Sequence, residues 1–211
     1  MPPCCAPTPN DLAHERTWLL NIAARAHAII IDPPAEWAKI DGEPGDVVQL
    51  LTSYVSPLAA IPALSGFTGA CLVGAVVPGV GTVRASILQG FFGAAFGYVA
   101  ACATVLVLGL VIDLLAPVFG SRRSFERAFK LAVYSYTPFW LAGIFLLAPG
   151  LRFLIVLSFY GIYLLWKGFP RLMETPRARV PAFATVIVGC AGALTLIFAA
   201  AQHALFGLTS I

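Results

Sequence analysis

The chain has 211 residues, of which 59% are hydrophobic and only 11% charged, with 13 basic against 10 acidic side chains. Soluble domains carry about 25% charged residues, so this load excludes an ordinary soluble domain, a disordered chain and a nucleic-acid binder. The net charge of +3 is too small to imply an anionic partner by itself.

Residues 1–10 read as a Pro-rich, mobile tail. Cys4 and Cys5 stand there side by side, without the spacing of zinc ligands and with only weak support for lipidation. Residues 1–11 lack a basic region followed by an apolar one, so no secretory signal is expected and insertion would rely on the first span. Residues 11–46 are predicted as a cytoplasmic amphipathic or interfacial segment. From Asp11 to Ile31, Leu12, Leu19, Ile22, Ala23, Ala26, Ile29 and Ile30 fall near one helical stripe, with His14, Glu15, Arg16, Asn21 and Arg25 on much of the remainder. Asn10 can cap this helix and Pro33-Pro34 ends it. Such a helix lies on a membrane surface, packs on its own bundle or binds a partner. In the segment from Pro34 to Glu43, Trp37 and Ile40 share a face, and Glu36 can pair weakly with Lys39. Glu36, Trp37 and Ile40 are the candidate cytoplasmic contact residues, and an interfacial anchor at Trp37 is the simpler alternative.

Residues 47–211 are predicted as a five-helix transmembrane domain, so the fold class is an all-α polytopic membrane bundle. A span needs ~20 apolar residues to cross a ~30 Å hydrocarbon core. Spans are expected at about 54–77, 90–115, 131–148, 151–166 and 182–206. The third and fourth are short and are joined by Pro149-Gly150, which favours a helical hairpin; a re-entrant pair that never crosses is the alternative. With the N-terminus inside, eleven Lys and Arg residues fall on the cytoplasmic side and only Arg84 and Arg152 on the other. That asymmetry predicts N-in, C-out.

Within the spans, Asp113 is the only acid expected at membrane depth, where a charge is costly. Pro117 removes the N–H that would bond the Asp113 carbonyl. That arrangement suits either a binding site or a structural cap paired with Arg122 or Lys130. The third span opens Tyr134-Ser135-Tyr136-Thr137-Pro138. Asp113, Tyr134 and Tyr136, with Pro117 and Pro138, therefore form a candidate polar cluster if their helices are neighbours. Gly93-x-x-x-Gly97, Gly66/Ala70 and Gly189/Ala193 suit close helix packing, by default within the chain and otherwise between copies. Cys71, Cys102 and Cys190 read as packing residues. His14, His27 and His203 are too dispersed for a metal site. No catalytic, cofactor or metal motif stands out.

The run Asp113-Leu114-Leu115-Ala116-Pro117, followed by Tyr134-Ser135-Tyr136-Thr137-Pro138, resembles the Yip1 family. That family carries an Asp-Leu-x-Gly-Pro signature and then a Tyr segment ending in Pro; Ala116 stands here in place of the Gly. Pro34, Glu36-Trp37, Ile40 and Glu43, then Tyr54, Pro57 and Ile61, are similar to its bacterial branch. So are Tyr160-Gly161-Ile162-Tyr163, Gly168, Pro170 and Pro176. The resemblance covers about residues 30–206. It implies a five-span protein of the bacterial inner membrane with a cytoplasmic N-terminal region. Eukaryotic members are associated with Rab-type GTPases and membrane traffic, a role that does not carry over to bacteria.

Three functions compete. A non-enzymatic scaffold or adaptor would contact lipid or a protein through its cytoplasmic face. A transporter or channel would use Asp113 and the tyrosines. An intramembrane enzyme would need a second carboxylate beside Asp113, and Glu36, Glu126 and Glu174 lie in expected cytoplasmic segments. The expected partners are the bilayer, a protein at the cytoplasmic face and a second copy of the chain; nucleic acid is not expected.

Overall fold

A computed structural model describes residues 22–43, 45–77 and 81–206. The tail over residues 1–10 and the first half of the expected amphipathic helix lie outside them. Helix α1, Ile22–Ile31, is short and apolar. It stops at Asp32, whose carboxylate accepts from the Ala35 N–H at 3.3 Å and so starts α2, Pro33–Gly42. The Pro33-Pro34 pair thus ends one helix and opens the next, where missing N–H groups leave no bond broken.

Five long helices follow, each long and apolar enough to cross a membrane: α3 (Val47–Val73), α4 (Ile87–Leu115), α5 (Phe125–Leu147), α6 (Gly150–Leu172) and α7 (Val180–Leu205). The first begins well before the expected position 54. Asp46 Oδ1 accepts from Val48 N at 2.9 Å and Gln49 N at 3.2 Å, a standard N-cap. Thr52 and Ser53 turn their hydroxyls back onto the Val48 and Gln49 carbonyls. A π-helical turn over Leu51–Val55 precedes Pro57, which cannot donate to the carbonyl one turn back. A short antiparallel hairpin, β1 (Ala75–Val77) and β2 (Gly81–Val83), joins α3 to α4 with Ala75 opposite Val83. Ser86 caps α4 through the Gln89 N–H.

Helix α5 is central, with 61% of its membrane window buried against 17% for α7. It is a regular α-helix over Phe125–Ala142 and a 3-10 helix over Gly143–Leu147. Helix α6 likewise begins as a 3-10 stretch, Pro149–Phe159. The two pack as the expected hairpin. They approach closely at Gly161, where a Cβ would collide with the Ser135 carbonyl oxygen. Leu64, Phe91, Val99, Leu110, Phe153 and Leu196 are exposed on the outside of the bundle, which suits contact with acyl chains.

One end of the bundle holds the connections between α4 and α5 and between α6 and α7. They are stitched together: Arg122 N–H donates to the Met173 carbonyl at 2.8 Å, and Ser121 Oγ lies 2.8 Å from Thr175 Oγ1. Helices α1 and α2 cover that same end. The β-hairpin and the α5–α6 turn form the other end.

Candidate functional site

The charged end is built from the α1–α2 cap downward. On α2, the 3.6-residue period puts Pro33, Glu36, Trp37 and Ile40 on one face, and all four are buried. The Trp37 ring crosses Tyr134 of α5 edge-on, with centroids 6.1 Å apart. It is seated beside Gly168 of α6, where a Cβ would press on its indole. Trp37 and Ile40 therefore hold the cap to the bundle, and they do not face outward toward a partner. The outward ridge is made instead by Ala24, His27, Ile31, Pro34, Ala35 and Ala38, all exposed.

Ion pairs lock this arrangement. Asp41 receives Arg127 of α5 at 3.4 Å and Arg171 of α6 at 3.8 Å. Lys130 Nζ is buried and donates to the Glu43 carbonyl at 2.6 Å, the Ile40 carbonyl at 3.4 Å and Glu126 Oε1 at 3.3 Å. Three protons meet three acceptors, two of them carbonyls at the negative C-terminal end of α2. Arg25 forms a two-pronged bond to Glu43 at 2.6 and 3.0 Å, reaches Glu36 at 3.5 Å and lies 5.9 Å over the Tyr134 ring. Burial works against its charge, but the Glu43 hydrogen bond and the surrounding anionic groups outweigh that and raise its pKa.

Beneath the cap lies a cavity of about 330 Å³ lined by Arg25, Glu43, Asp46, Lys130, Tyr54 and Tyr134 among others. A chain of polar groups continues inward from it. The Tyr54 and Tyr134 rings meet at a tilt, with centroids 4.9 Å apart and planes at 53°, and the Tyr54 hydroxyl lies 3.0 Å from Thr137 Oγ1. The two tyrosines belong to the same hydrophobic cluster as Val55, Leu58, Val105, Leu108 and Val133, all buried.

The expected cluster of Asp113 with tyrosines is not assembled. Asp113 is buried, but its ion-pair partner is Arg123 at 3.3 Å, neither Arg122 nor Lys130. Its other oxygen, Oδ1, has no hydrogen-bond partner among the described residues. Asp113 does not line the cavity, whereas Tyr134 does. Tyr136 sits against Phe139 and Trp140. Pro117 lies past the end of α4, in a turn closed by Ser121 N–H onto the Ala116 carbonyl at 2.8 Å and by Gly120 at φ 66°. It ends the helix and does not kink it. Pro138 lies inside α5. The sequence reading placed Arg25 only on the polar side of the N-terminal helix, offered Lys130 only as a partner for Asp113, and did not single out Asp41. The available signal was Lys130, a cation in an otherwise apolar run with its acid Glu126 one turn before it.

The three glutamates weighed as partners for Asp113 are each matched to a cation. Glu36 pairs with Lys39 at 3.0 Å, Glu126 with Lys130, and Glu174 with Arg122 at 3.0 Å and Arg127 at 3.4 Å. Among the described residues, no group of three or more His, Cys, Asp or Glu could hold a metal ion.

Comparison with known proteins agrees with this architecture. The model of the Yip1 domain matches residues 28–199. Inner membrane protein YohC of Escherichia coli (strain K12) is 30% identical over 147 residues, covering 67% of this chain and 75% of that protein. The protein of the same name from Escherichia coli O6:H1 matches over the same lengths. No solved structure matches. The stapled bundle end, the five apolar helices and the match over residues 28–199 lead to one assignment: the chain belongs to the Yip1 domain family.

Proposed function

We propose that this inner-membrane protein is a non-enzymatic scaffold, inserted with its N-terminus in the cytoplasm, that presents the α1–α2 cap as a fixed docking ridge. The orientation rests on charge. Among the described residues, the stapled end carries Arg25, Lys39, Arg122, Arg127, Lys130 and Arg171, and the opposite end only Arg84 and Arg152. The observation that carries the proposal is the cap itself. Its inner face is anchored by Trp37, Asp41 and Lys130. Its outer ridge is left apolar and exposed, with Ile31 at 68%. A rigid, preorganised ridge loses little entropy when a partner docks. Glu36, Glu126 and Glu174 each pair with a cation, and Asp113 pairs with Arg123, which among the described residues supports a role for these acids in structure.

A photo-crosslinker at Ile31 in living cells tests this. A discrete protein adduct is expected, and it should disappear in Ala35→Glu, an exposed position whose change leaves the anchors intact. Adducts that are identical in Ala35→Glu, or only lipid adducts, would remove the proposal.

Passage of a small solute is the second reading, supported by the charged cavity against Tyr134. It would use Arg25, Lys130 and Tyr134 in place of Asp113. Purified protein in liposomes would show solute flux that Tyr134→Phe slows. Flux that is absent, or unchanged in Tyr134→Phe, would dismiss it.

A further inference from the structure

The cap and the bundle end beneath it carry opposite charge. Residues 22–43 hold four acids against two bases, whereas 121–130 and 167–179 together hold eight bases against two acids. The carboxylates of the cap are not held equally well. Glu43 meets Arg25 at 2.6 and 3.0 Å, and Glu36 meets Lys39 at 3.0 Å. Asp41 crosses to two arginines of the bundle, Arg127 at 3.4 Å and Arg171 at 3.8 Å. Both contacts are longer than a charge-assisted hydrogen bond, at ~2.7–2.9 Å. Asp41 Oδ1 is buried and has no hydrogen-bond partner among the described residues.

The bundle places the arginines without help from Asp41. Arg127 Nη1 donates to the Leu172 carbonyl at 3.2 Å and to Glu174 Oε1 at 3.4 Å. Arg171 lies in the last turn of α6. One turn before it, the Lys167 ammonium lies 5.5 Å over the Tyr163 ring. Tyr163 and Trp166 are exposed on the same helix, and exposed aromatic rings beside a cation mark a membrane–water interface. Two guanidiniums, from α5 and α6, therefore converge near headgroup level on a carboxylate that hydrogen-bonds to neither.

A phosphate suits this gap better than the carboxylate does. Its oxygens are more numerous and tetrahedrally set, and arginine binds them in pairs. Asp41 is held there by its own helix, so it competes at an effective concentration on the order of mM. A singly charged diester has no advantage in charge over it. A terminal monoester has one, carrying about −1.5 to −2 at pH 7 on three acceptor oxygens. We infer that Arg127 and Arg171 form a phosphate site in which Asp41 is an internal stand-in, and that a lipid with a terminal phosphate monoester, from the leaflet at the charged end, displaces Asp41 and loosens α2. None of these three residues lies on the exposed ridge of the cap, so the site is separate from the docking role proposed for that ridge.

The test uses the full chain in discs of phosphatidylcholine, with phosphatidic acid or phosphatidylglycerol added to equal charge. In wild type, phosphatidic acid should accelerate hydrogen exchange of residues 35–42 about threefold or more and leave Ile87–Leu115 unchanged. Phosphatidylglycerol should leave the rate near that in phosphatidylcholine alone. Both arms use the wild-type chain, so neither depends on a variant folding. Native mass spectrometry then compares retention of phosphatidic acid. Asp41→Asn vacates the site and should retain about fivefold more than wild type. Adding Arg171→Gln should cancel that gain. Asp32→Asn removes the same charge from the cap but keeps a capping side chain, and it should stay within about twofold of wild type. Equal acceleration by the two lipids, no acceleration by phosphatidic acid, or equal gains in Asp32→Asn and Asp41→Asn would overturn the site. Inorganic phosphate added to discs of phosphatidylcholine separates a soluble source from a lipid one. Acceleration by inorganic phosphate without acceleration by phosphatidic acid would overturn the lipid as the ligand.

Discussion

Replacing Lys130 with Met should unlatch the cap while leaving the spans folded. The side chain is buried, and its ammonium satisfies the Ile40 and Glu43 carbonyls and pairs with Glu126. Methionine matches the stem but donates nothing. The Glu126 carboxylate is 46% exposed and can turn to water, so its loss is small. The two carbonyls at the end of α2 are the main cost. Hydrogen bonds to a charged group are worth ~1.5–3 kcal/mol each, and the longer 3.4 Å contact counts for less, so the cap should lose about 2–4 kcal/mol. At 1.4 kcal/mol per factor of ten, hydrogen exchange of the α2 amides should accelerate about 30- to 700-fold. Amides of Ile87–Leu115 should keep their wild-type rates. Lys130→Arg retains the charge and should lie between the two. If α2 exchanges within twofold of wild type in Lys130→Met, Lys130 does not hold the cap. If all spans accelerate together, the cap is not a separate cooperative unit.

Other substitutions probe other parts of the bundle. Asp113→Asn should leave thermal unfolding in detergent within about 1 kcal/mol of wild type, or raise stability slightly. Its partner Arg123 is 62% exposed and such pairs are weak, while one carboxylate oxygen is buried without a hydrogen bond; a large loss would restore Asp113 as a structural centre. Gly161→Val should cost ~1–3 kcal/mol through collision with the Ser135 carbonyl, read as a lower midpoint of unfolding, and an unchanged midpoint would mean that α5 and α6 can slide apart freely. Trp37→Ala should remove ~3–5 kcal/mol from the cap and expose Pro33–Gly42 to a protease that spares the wild type. For orientation, Arg177→Cys should react with an impermeant maleimide only after the membrane is opened, and Arg84→Cys should react in intact spheroplasts. The reverse pattern would invert the topology.

Much of the architecture is legible because it follows from bulk chemistry. Long runs without charge can only be lipid-facing or core, and the Pro149-Gly150 break separates two of them. The start of α3 was hidden because Gln49, Thr52 and Ser53 lower local hydropathy, and only the Asp46 cap marks the helix. The polar cluster failed for a geometric reason. Shared depth says nothing about azimuth: Asp113 turns toward Arg123, while Tyr134 turns toward Arg25, Trp37 and Tyr54. The face of Trp37 and Ile40 was readable from their spacing, but its destination was not. An apolar stripe next to a membrane has two apolar places to go, and the choice was made by Gly168, Asp41 and Lys130, which no period in α2 encodes.

The 3-10 winding at the start of α6 changes how far the chain reaches. Eleven residues from Pro149 to Phe159 advance ~2.0 Å each in place of ~1.5 Å, so the stretch covers ~22 Å where an α-helix would cover ~16 Å. A segment that seems too short by residue count thereby gains ~6 Å of span. Part of the length this hairpin needs is thus supplied by local pitch, on the same helix whose far end carries Gly168 and Arg171 to the cap.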